Sequence, residues 1–352
     1  MFRSIPENYA LWNRRGFLKA AGAATVGAAF AQTSAAADGE PPAASQTRSA
    51  ANHSRNTTDQ LMRIGVLSGT FGRPTLAANL EAVKACGLDC EQLSLDCAGL
   101  PSMPDRIAPE VAARIRREAA AHDVEIVSLQ GTFNMSHPDA EHRRTGLRQL
   151  AVLAEACPRL GVSKIHICTG TRDRENMWRR HPDNNSPEAW RDMVACVGEA
   201  AAIAKHSGVV LAFEPEVNNV VDSAKKSRRL MDEVGSPHVK VTMDAANLFH
   251  AGELAHMDEV LDEAFALVGK DIVLAHAKDL SHDGDAGHEA AGHGRLDYAR
   301  YLSLLLAYGF HGPLLLHGLS EAQVPGCVAF LRKKLRQAIS SAPSQPGHGS
   351  NE

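Results

Sequence analysis

VVLAFE (Val209–Glu214) is an apolar run that closes on an acid, and the pattern recurs twice downstream. VKVTMD (Val239–Asp244) closes on Asp244, and IVLAH (Ile272–His276) closes on His276. The chain advances 30 residues from position 214 to 244 and 32 from 244 to 276, about one strand-helix unit each. Parallel strands buried on both faces read as such unbroken apolar runs, and successive units in a barrel deliver their strand ends to one rim. Two carboxylates and an imidazole converging there suit a single divalent cation: Mn²⁺, Mg²⁺, Co²⁺ or Zn²⁺. The spacing therefore points to a metal-dependent enzyme.

Working outward, short runs rich in Val, Ile and Leu alternate with longer segments of helical period. Strands are expected at Arg63–Gly69, Cys90–Asp96, Glu125–Phe133, Lys164–Thr171, Val209–Glu216, Val239–Ala246, Asp271–Asp279 and Gly312–Leu319. Helices are expected at Thr75–Cys86, Pro109–His122, Glu141–Leu160, Pro187–Ser207, Ala224–Val234, Met257–Val268, Asp297–Tyr308 and Val324–Ile339. Eight such units in a row imply a single-domain α/β protein, a (β/α)8 TIM barrel, over residues 61–340. A doubly wound dinucleotide fold would need a glycine-rich phosphate turn after the first strand. Leu67-Ser68-Gly69-Thr70-Phe71-Gly72 lacks the GxGxxG spacing.

The two ends read differently. Residues 1–37 contain Arg14-Arg15 followed by Phe17-Leu18-Lys19 and an Ala/Gly-rich apolar run to Ala31. This is the order of a secretory signal, and the arginine pair resembles that of the twin-arginine route, a basic amphipathic arm being the alternative. The run is too short to span a bilayer, which takes about 20 residues, so no stable membrane insertion is expected after signal removal. The expected location is periplasmic or otherwise extracytoplasmic. Residues 38–60 and 341–352 are polar, with Pro, Ser and Asn and no apolar period, and read as a disordered linker and tail.

The formal net charge of the 352 residues is −4, with both signs interspersed, which argues against a nucleic-acid partner. Seven cysteines, with no CxxC pair, leave any disulfide unplaced. Nothing in the sequence excludes a homo-oligomer.

Further candidates follow from position. Alternation along a strand puts Lys278 on the face of His276, where it could reach a substrate anion or enediolate; a salt bridge at the barrel mouth is the alternative. The loop after the third strand offers Asn134 and His137, and the loop after the fourth offers Arg172 and Trp178. An aromatic face with hydrogen-bonding neighbours fits a carbohydrate, although a packed lid or subunit contact would use the same residues. Glu216 lies close to Glu214 and could bind substrate or carry a proton. The loop Ser281–Asp297 carries His282, His288 and His293 among glycines and is expected to be flexible.

AFEPE (212–216), VTMDAANLF (241–249), AHAKD (275–279) and GHGRLDYARYLSLLLAYGFHGPLLL (292–316), in that order, resemble the xylose isomerase-like barrels of the sugar phosphate isomerase/epimerase family. The resemblance runs from about Arg63 to Leu335. It implies a metal site of Glu, Asp, His and Glu from strands 5 to 8, of which Glu214, Asp244 and His276 carry over. In the fourth position this chain has His317, in LLLHGLSE (314–321). Histidine can ligate the same ion, so the set could be Glu, Asp, His, His, with Glu214 as the candidate base and His317 or Glu216 as the returning acid; the alternative for His317 is a core histidine hydrogen-bonded under the barrel. Asn247 stands where related enzymes often place a substrate-touching histidine; it could instead cap the following helix.

The expected reaction is a divalent-metal-dependent sugar isomerisation or epimerisation through an enediolate. The alternatives are a metal-dependent lyase or dehydratase on a keto sugar or glycoside, and a non-catalytic sugar-binding barrel. An endonuclease of the same superfamily would need further histidines for a three-zinc cluster; Ser94-Leu95-Asp96 lacks one and Asn247 replaces another. An exported enzyme would meet unphosphorylated carbohydrate.

Overall fold

The computed structural model describes residues 62–341. The expected export signal, linker and tail lie outside them, apart from Ser341, which ends the last helix. Eight strands form the barrel: β1 (Ile64–Leu67), β2 (Cys90–Leu93), β3 (Glu125–Gln130), β4 (Lys164–Cys168), β5 (Val210–Glu214), β6 (Val239–Asp244), β7 (Ile272–Asp279) and β8 (Leu314–Leu316). Each pairs in parallel with the next, and β8 pairs back onto β1 through Ile64 and Leu314, so the sheet closes. The helices are α1 (Leu76–Ala85), α2 (Pro109–Ala121), α3 (Ala140–Leu160), α4 (Pro187–Ser207), α5 (Ala224–Val234), α6 (Met257–Val268), α7 (Tyr298–Ala307) and α8 (Val324–Ser341). The fold is the single-domain (β/α)8 barrel expected.

Local chemistry sets the helix starts. Thr75, Asp139, Ser186, Ser223 and Asp297 each accept a first-turn backbone N–H, ahead of α1, α3, α4, α5 and α7. Gly161 and Gly208 close α3 and α4 with φ of 77° and 68°, a conformation in which a side chain would crowd its own backbone.

The strands stop earlier than the apolar runs do. The chain leaves β1 at Leu67, β6 at Asp244 and β8 at Leu316, and short 3-10 turns at Ser68–Thr70, Leu95–Ala98 and Ala245–Asn247 carry the residues expected to extend β1, β2 and β6. Ala245 and Ala246 are fully buried there, so their apolar character reflects packing at the rim and not sheet pairing.

Two apolar layers result. The larger fills the space between strands and helices, with Leu211, Phe213, Val241, Met243, Ala275 and Ala277 facing it. The smaller lies within the barrel: Cys90, Val127, Ala212, Leu274 and Leu315. Gly65 belongs to this interior, where a Cβ would stand 2.6 Å from the Cys90 carbonyl and 2.8 Å from Leu315; only glycine fits. Among the described residues no helix is long and apolar enough to cross a membrane.

Candidate metal centre

The inward-facing positions of β5 to β8 continue upward by one two-residue step. Ala212 is followed by Glu214, Thr242 by Asp244, Leu274 by His276 and Leu315 by His317. The register places Asp244 beside His276 and Cys168 beside Glu214. Two tyrosines of α7 fix the rim: Tyr301 donates its hydroxyl to the carbonyls of Met243 (3.0 Å) and His276 (3.1 Å), and Tyr298 donates to that of Lys278 (3.0 Å).

Glu214, Asp244, His276 and His317 each present a ligand atom within 4.8 Å of the others. His276 Nδ1 lies 3.5 Å from Glu214 Oε2 and 3.8 Å from Asp244 Oδ2, and His317 Nδ1 lies 3.6 Å from Asp244 Oδ2. These separations exceed hydrogen-bond reach for aligned groups. Accordingly His276 Nδ1 and His317 Nδ1 are buried with no hydrogen-bond partner, and Asp244 Oδ2 is ion-paired with Lys278 Nζ at 3.3 Å. Buried polar atoms are nearly always satisfied, and two unpartnered imidazole nitrogens converging with two carboxylate oxygens make a candidate cation site. The donor set, two carboxylates and two imidazoles, suits a divalent ion.

The groups behind these atoms are tied down. Asn247 Nδ2 donates to Glu214 Oε1 at 2.6 Å and its Oδ1 accepts from Gly287 N, so Asn247 joins the Glu214 carboxylate to the loop after β7. Asp244 Oδ1 accepts from Ala246 N, and Lys278 Nζ stands 3.3 Å from Oδ2. Gln92 Oε1 stands 3.4 Å from His276 Nε2 and accepts the Ser128 hydroxyl. Partners of this kind set ring orientation and leave one nitrogen facing the centre.

Burial alone would raise Glu214, but His276, His166 and Lys278 more than offset it and hold the carboxyl well below its usual range. Asp244 is likewise pushed up by burial and pulled below its usual value, chiefly by Lys278. Glu216 goes the other way: burial, with Glu214, Asp244 and Asp285 near it, lifts it to about 8 against the pull of Lys278. Burial and the Lys278 charge lower His317, and burial drives His166 down to about 3, so that ring is neutral.

The loop residues sit in other bonds. Asn134 Oδ1 accepts from Ser136 N and Thr171 N, and its Nδ2 donates to Asp173 O. His137 accepts from Asp139 N on Nδ1 and faces Arg174 O with Nε2. Arg172 donates to Asp192 Oδ2 (2.6 Å), Glu188 Oε1 and Ser136 O. These three thus staple the loops after β3 and β4 together. Trp178 is half-buried, its backbone N–H bonded to Asn176 Oδ1. A cleft of about 490 Å³ opens at the rim, lined by Arg180, His181, Asn184, Val217, Asp222 and His250.

The loop after β7 folds back instead of running free. Glu289–Ala290 pairs antiparallel with Asp279 and Lys278, and the buried Asp279 carboxylate accepts backbone N–H groups of Leu280, Gly292 and Leu296. None of His282, His288 and His293 joins a ligand cluster among the described residues. Asp279, Gln92 and the α7 tyrosines were not singled out from sequence. The alternation that placed Lys278 on the His276 face also turns Asp279 away from it, which was the available signal.

A family model described as a xylose isomerase-like TIM barrel matches residues 80–334. The chain belongs to that family. No curated protein matches it in sequence. Solved barrels similar to it include a xylose isomerase domain protein from Planctomyces limnophilus, 19% identical with a TM-score of 0.61, covering 80% of this chain and 99% of that one. An L-ribulose 3-epimerase is 17% identical with a TM-score of 0.62, covering 81% and 100%. The IOLI protein with a zinc atom bound is 18% identical with a TM-score of 0.59, covering 81% and 100%. At these identities the likeness is one of fold.

Proposed function

We propose that Glu214, Asp244, His276 and His317 hold one divalent ion and that the protein is a sugar isomerase or epimerase. The observation that carries this reading is the convergence of two unpartnered buried imidazole nitrogens, His276 Nδ1 and His317 Nδ1, on the carboxylate oxygens Glu214 Oε2 and Asp244 Oδ2. An epimerase and a zinc-bound protein among the similar barrels support it. When bound, the ion, Mn²⁺, Mg²⁺, Co²⁺ or Zn²⁺, supplies Lewis-acid stabilisation of negative charge developing beside a carbonyl.

The chain's own groups divide the remaining work. Glu214, ionised and aimed by Asn247, removes the proton next to the substrate carbonyl. Glu216, held protonated at neutral pH, or His317 returns it. Lys278, 3.3 Å from Asp244, places positive charge near the developing enediolate. Trp178 at the rim offers an apolar face to a sugar ring. The twin-arginine sequence favours an unphosphorylated substrate met outside the cytoplasm.

One observation favours a second reading. An imidazole, His317, stands where the related metal sites carry a second carboxylate, so expulsion of a leaving group by a lyase or dehydratase competes with proton return on the opposite face.

The test is incubation of metal-loaded protein with ketoses and keto-glycosides in D₂O, read by mass and NMR. Deuterium at the carbon beside the carbonyl, lost in Glu214→Gln, is expected. An unsaturated product would move the assignment to elimination. Bound metal with neither exchange nor elimination would leave a sugar-binding barrel.

A further inference from the structure

The loops after β4, β5 and β6 enclose the cleft of about 490 Å³, which the proposed reaction leaves unused. That volume lies within the usual range of small-molecule sites, about 300–1,000 Å³. Its wall is tied to the metal centre. Val217 donates its N–H to the Asn247 carbonyl at 3.0 Å, and Asn247 in turn holds Glu214.

Arg180 is the one guanidinium in the cleft wall. Its Nη2 donates to the Val217 carbonyl at 2.9 Å and faces His250 Nδ1 at 3.3 Å. His250 Nε2 faces the Asp222 carbonyl at 3.1 Å. A carbonyl can only accept, so Nε2 carries the ring proton and Nδ1 accepts from Arg180. Neither partner of the guanidinium carries a negative charge. Among the described residues Arg180 has no carboxylate within ion-pair distance, whereas its neighbour Arg179 pairs with Asp173 and Glu175. The acid in the cleft wall, Asp222, is taken by Lys226 Nζ at 2.7 Å. The cleft therefore keeps one uncompensated positive charge, fixed in place by two bonds.

A second observation comes from the buried side of the same cleft. Asn219, 1% exposed, also lines it. Its Oδ1 accepts from Gly170 N at 2.6 Å and from the Thr169 hydroxyl at 3.5 Å. Its Nδ2 has no acceptor among the described residues, although buried donors are nearly always paired. His181 accepts from Asp183 N on Nδ1 at 3.2 Å, which leaves its Nε2 as a further donor. The spare hydrogen-bonding groups of Arg180, Asn219 and His181 are thus all N–H donors, and one of them is charged.

We infer that this cleft binds the carboxylate of an acidic sugar such as a uronate, with Arg180 as its charge partner and Asn219 Nδ2 as a second donor. One unpaired positive charge matches a monoanion; a phosphate dianion would face the Asp222 carboxylate with half its charge unmet. That the carboxylate is carried on a sugar rests on the proposed function. The preference for a carboxylate rests on the cleft alone.

The test is calorimetric titration of the metal-loaded full chain with D-glucuronate, D-glucose and D-glucose 6-phosphate. Glucuronate is expected to bind at least about tenfold more tightly than the other two, the scale of a charge-assisted hydrogen bond. Arg180→Gln should abolish that preference. Asn219→Asp keeps an oxygen for Gly170 N but replaces the donor by a carboxylate oxygen, and should abolish it too. Asp244→Asn should keep it. Equal or absent binding of glucuronate and glucose by the wild type, tighter binding of the phosphate, or a preference that survives in folded Arg180→Gln and Asn219→Asp overturns the inference. A preference lost in Asp244→Asn but kept in Arg180→Gln would put the carboxylate on the ion and also overturn it. A preference intact in a protein that exchanges no deuterium in D₂O would sink the proposed reaction and leave the cleft site standing.

Discussion

The barrel interior has two storeys built on the same strands. In the lower, Ala212, Leu274 and Leu315 pack with Cys90 and Val127 into a dry plug. Two residues further along the same strands, Glu214, His276 and His317 meet Asp244 with two imidazole nitrogens, His276 Nδ1 and His317 Nδ1, unpartnered. Leaving a buried polar atom unpaired costs about 1–3 kcal/mol, so the upper storey is a place of stored cost and the lower one of plain stabilisation. A fold tolerates such a conflict between burial and polarity where function requires it, and a bound cation would offset it.

Breaking the upper storey should show in chemistry and not in folding. Glu214→Gln is expected to lower turnover in the D₂O assay by about 10²–10⁴-fold, the usual worth of a positioned proton-transfer group, with the circular dichroism spectrum unchanged. Breaking the lower storey should do the reverse. Leu274→Ala removes a fully buried side chain and is expected to cost about 2–5 kcal/mol in urea unfolding, while metal content per folded chain stays constant.

A third position sharpens the contrast, because it is polar and buried but lies outside the barrel interior. Glu91 is fully buried and accepts from Asn79 Nδ2 at 2.7 Å. Burial lifts its carboxyl from 4.5 to about 7, against the smaller effect of Asn79. The folded state thus holds a proton that the unfolded state releases between pH 4.5 and 7. Its stabilising effect is complete below pH 4.5, falls as pH rises toward 7 and is absent above. Glu91→Gln should flatten that slope by roughly 3 kcal/mol, measured as unfolding free energy against pH; equal slopes in both proteins would refute the assignment. The smallest effect is expected from Ser186→Ala, which removes the cap on α4, whose oxygen accepts from Ala189 N, and should cost about 1 kcal/mol with the centre untouched.

Much of this was legible before the structure. The apolar runs place all eight strands, and Glu214, Asp244 and His276 stand out because each ends one. Strand ends were overrun where buried 3-10 turns such as Ala245–Asn247 imitate strand composition. Asn134, His137 and Arg172 stand out in sequence as polar loop residues, but the partners they hold belong to loops that meet only in three dimensions. The proximity of His166 and Cys168 to Glu214 was missed for a related reason. KIHIC (164–168) shows the two-residue alternation plainly, yet only the pairing of Cys168 with Glu214 reveals which strand end they face.

The four side chains at the ends of β5, β6, β7 and β8 are arranged to hold one cation. Calorimetric titration of chelator-stripped protein with Mn²⁺ tests it most directly. Saturable binding at one site in the wild type, abolished in a folded Asp244→Asn variant, is the expected result. No binding in the wild type, or equal affinity in Asp244→Asn, would contradict it.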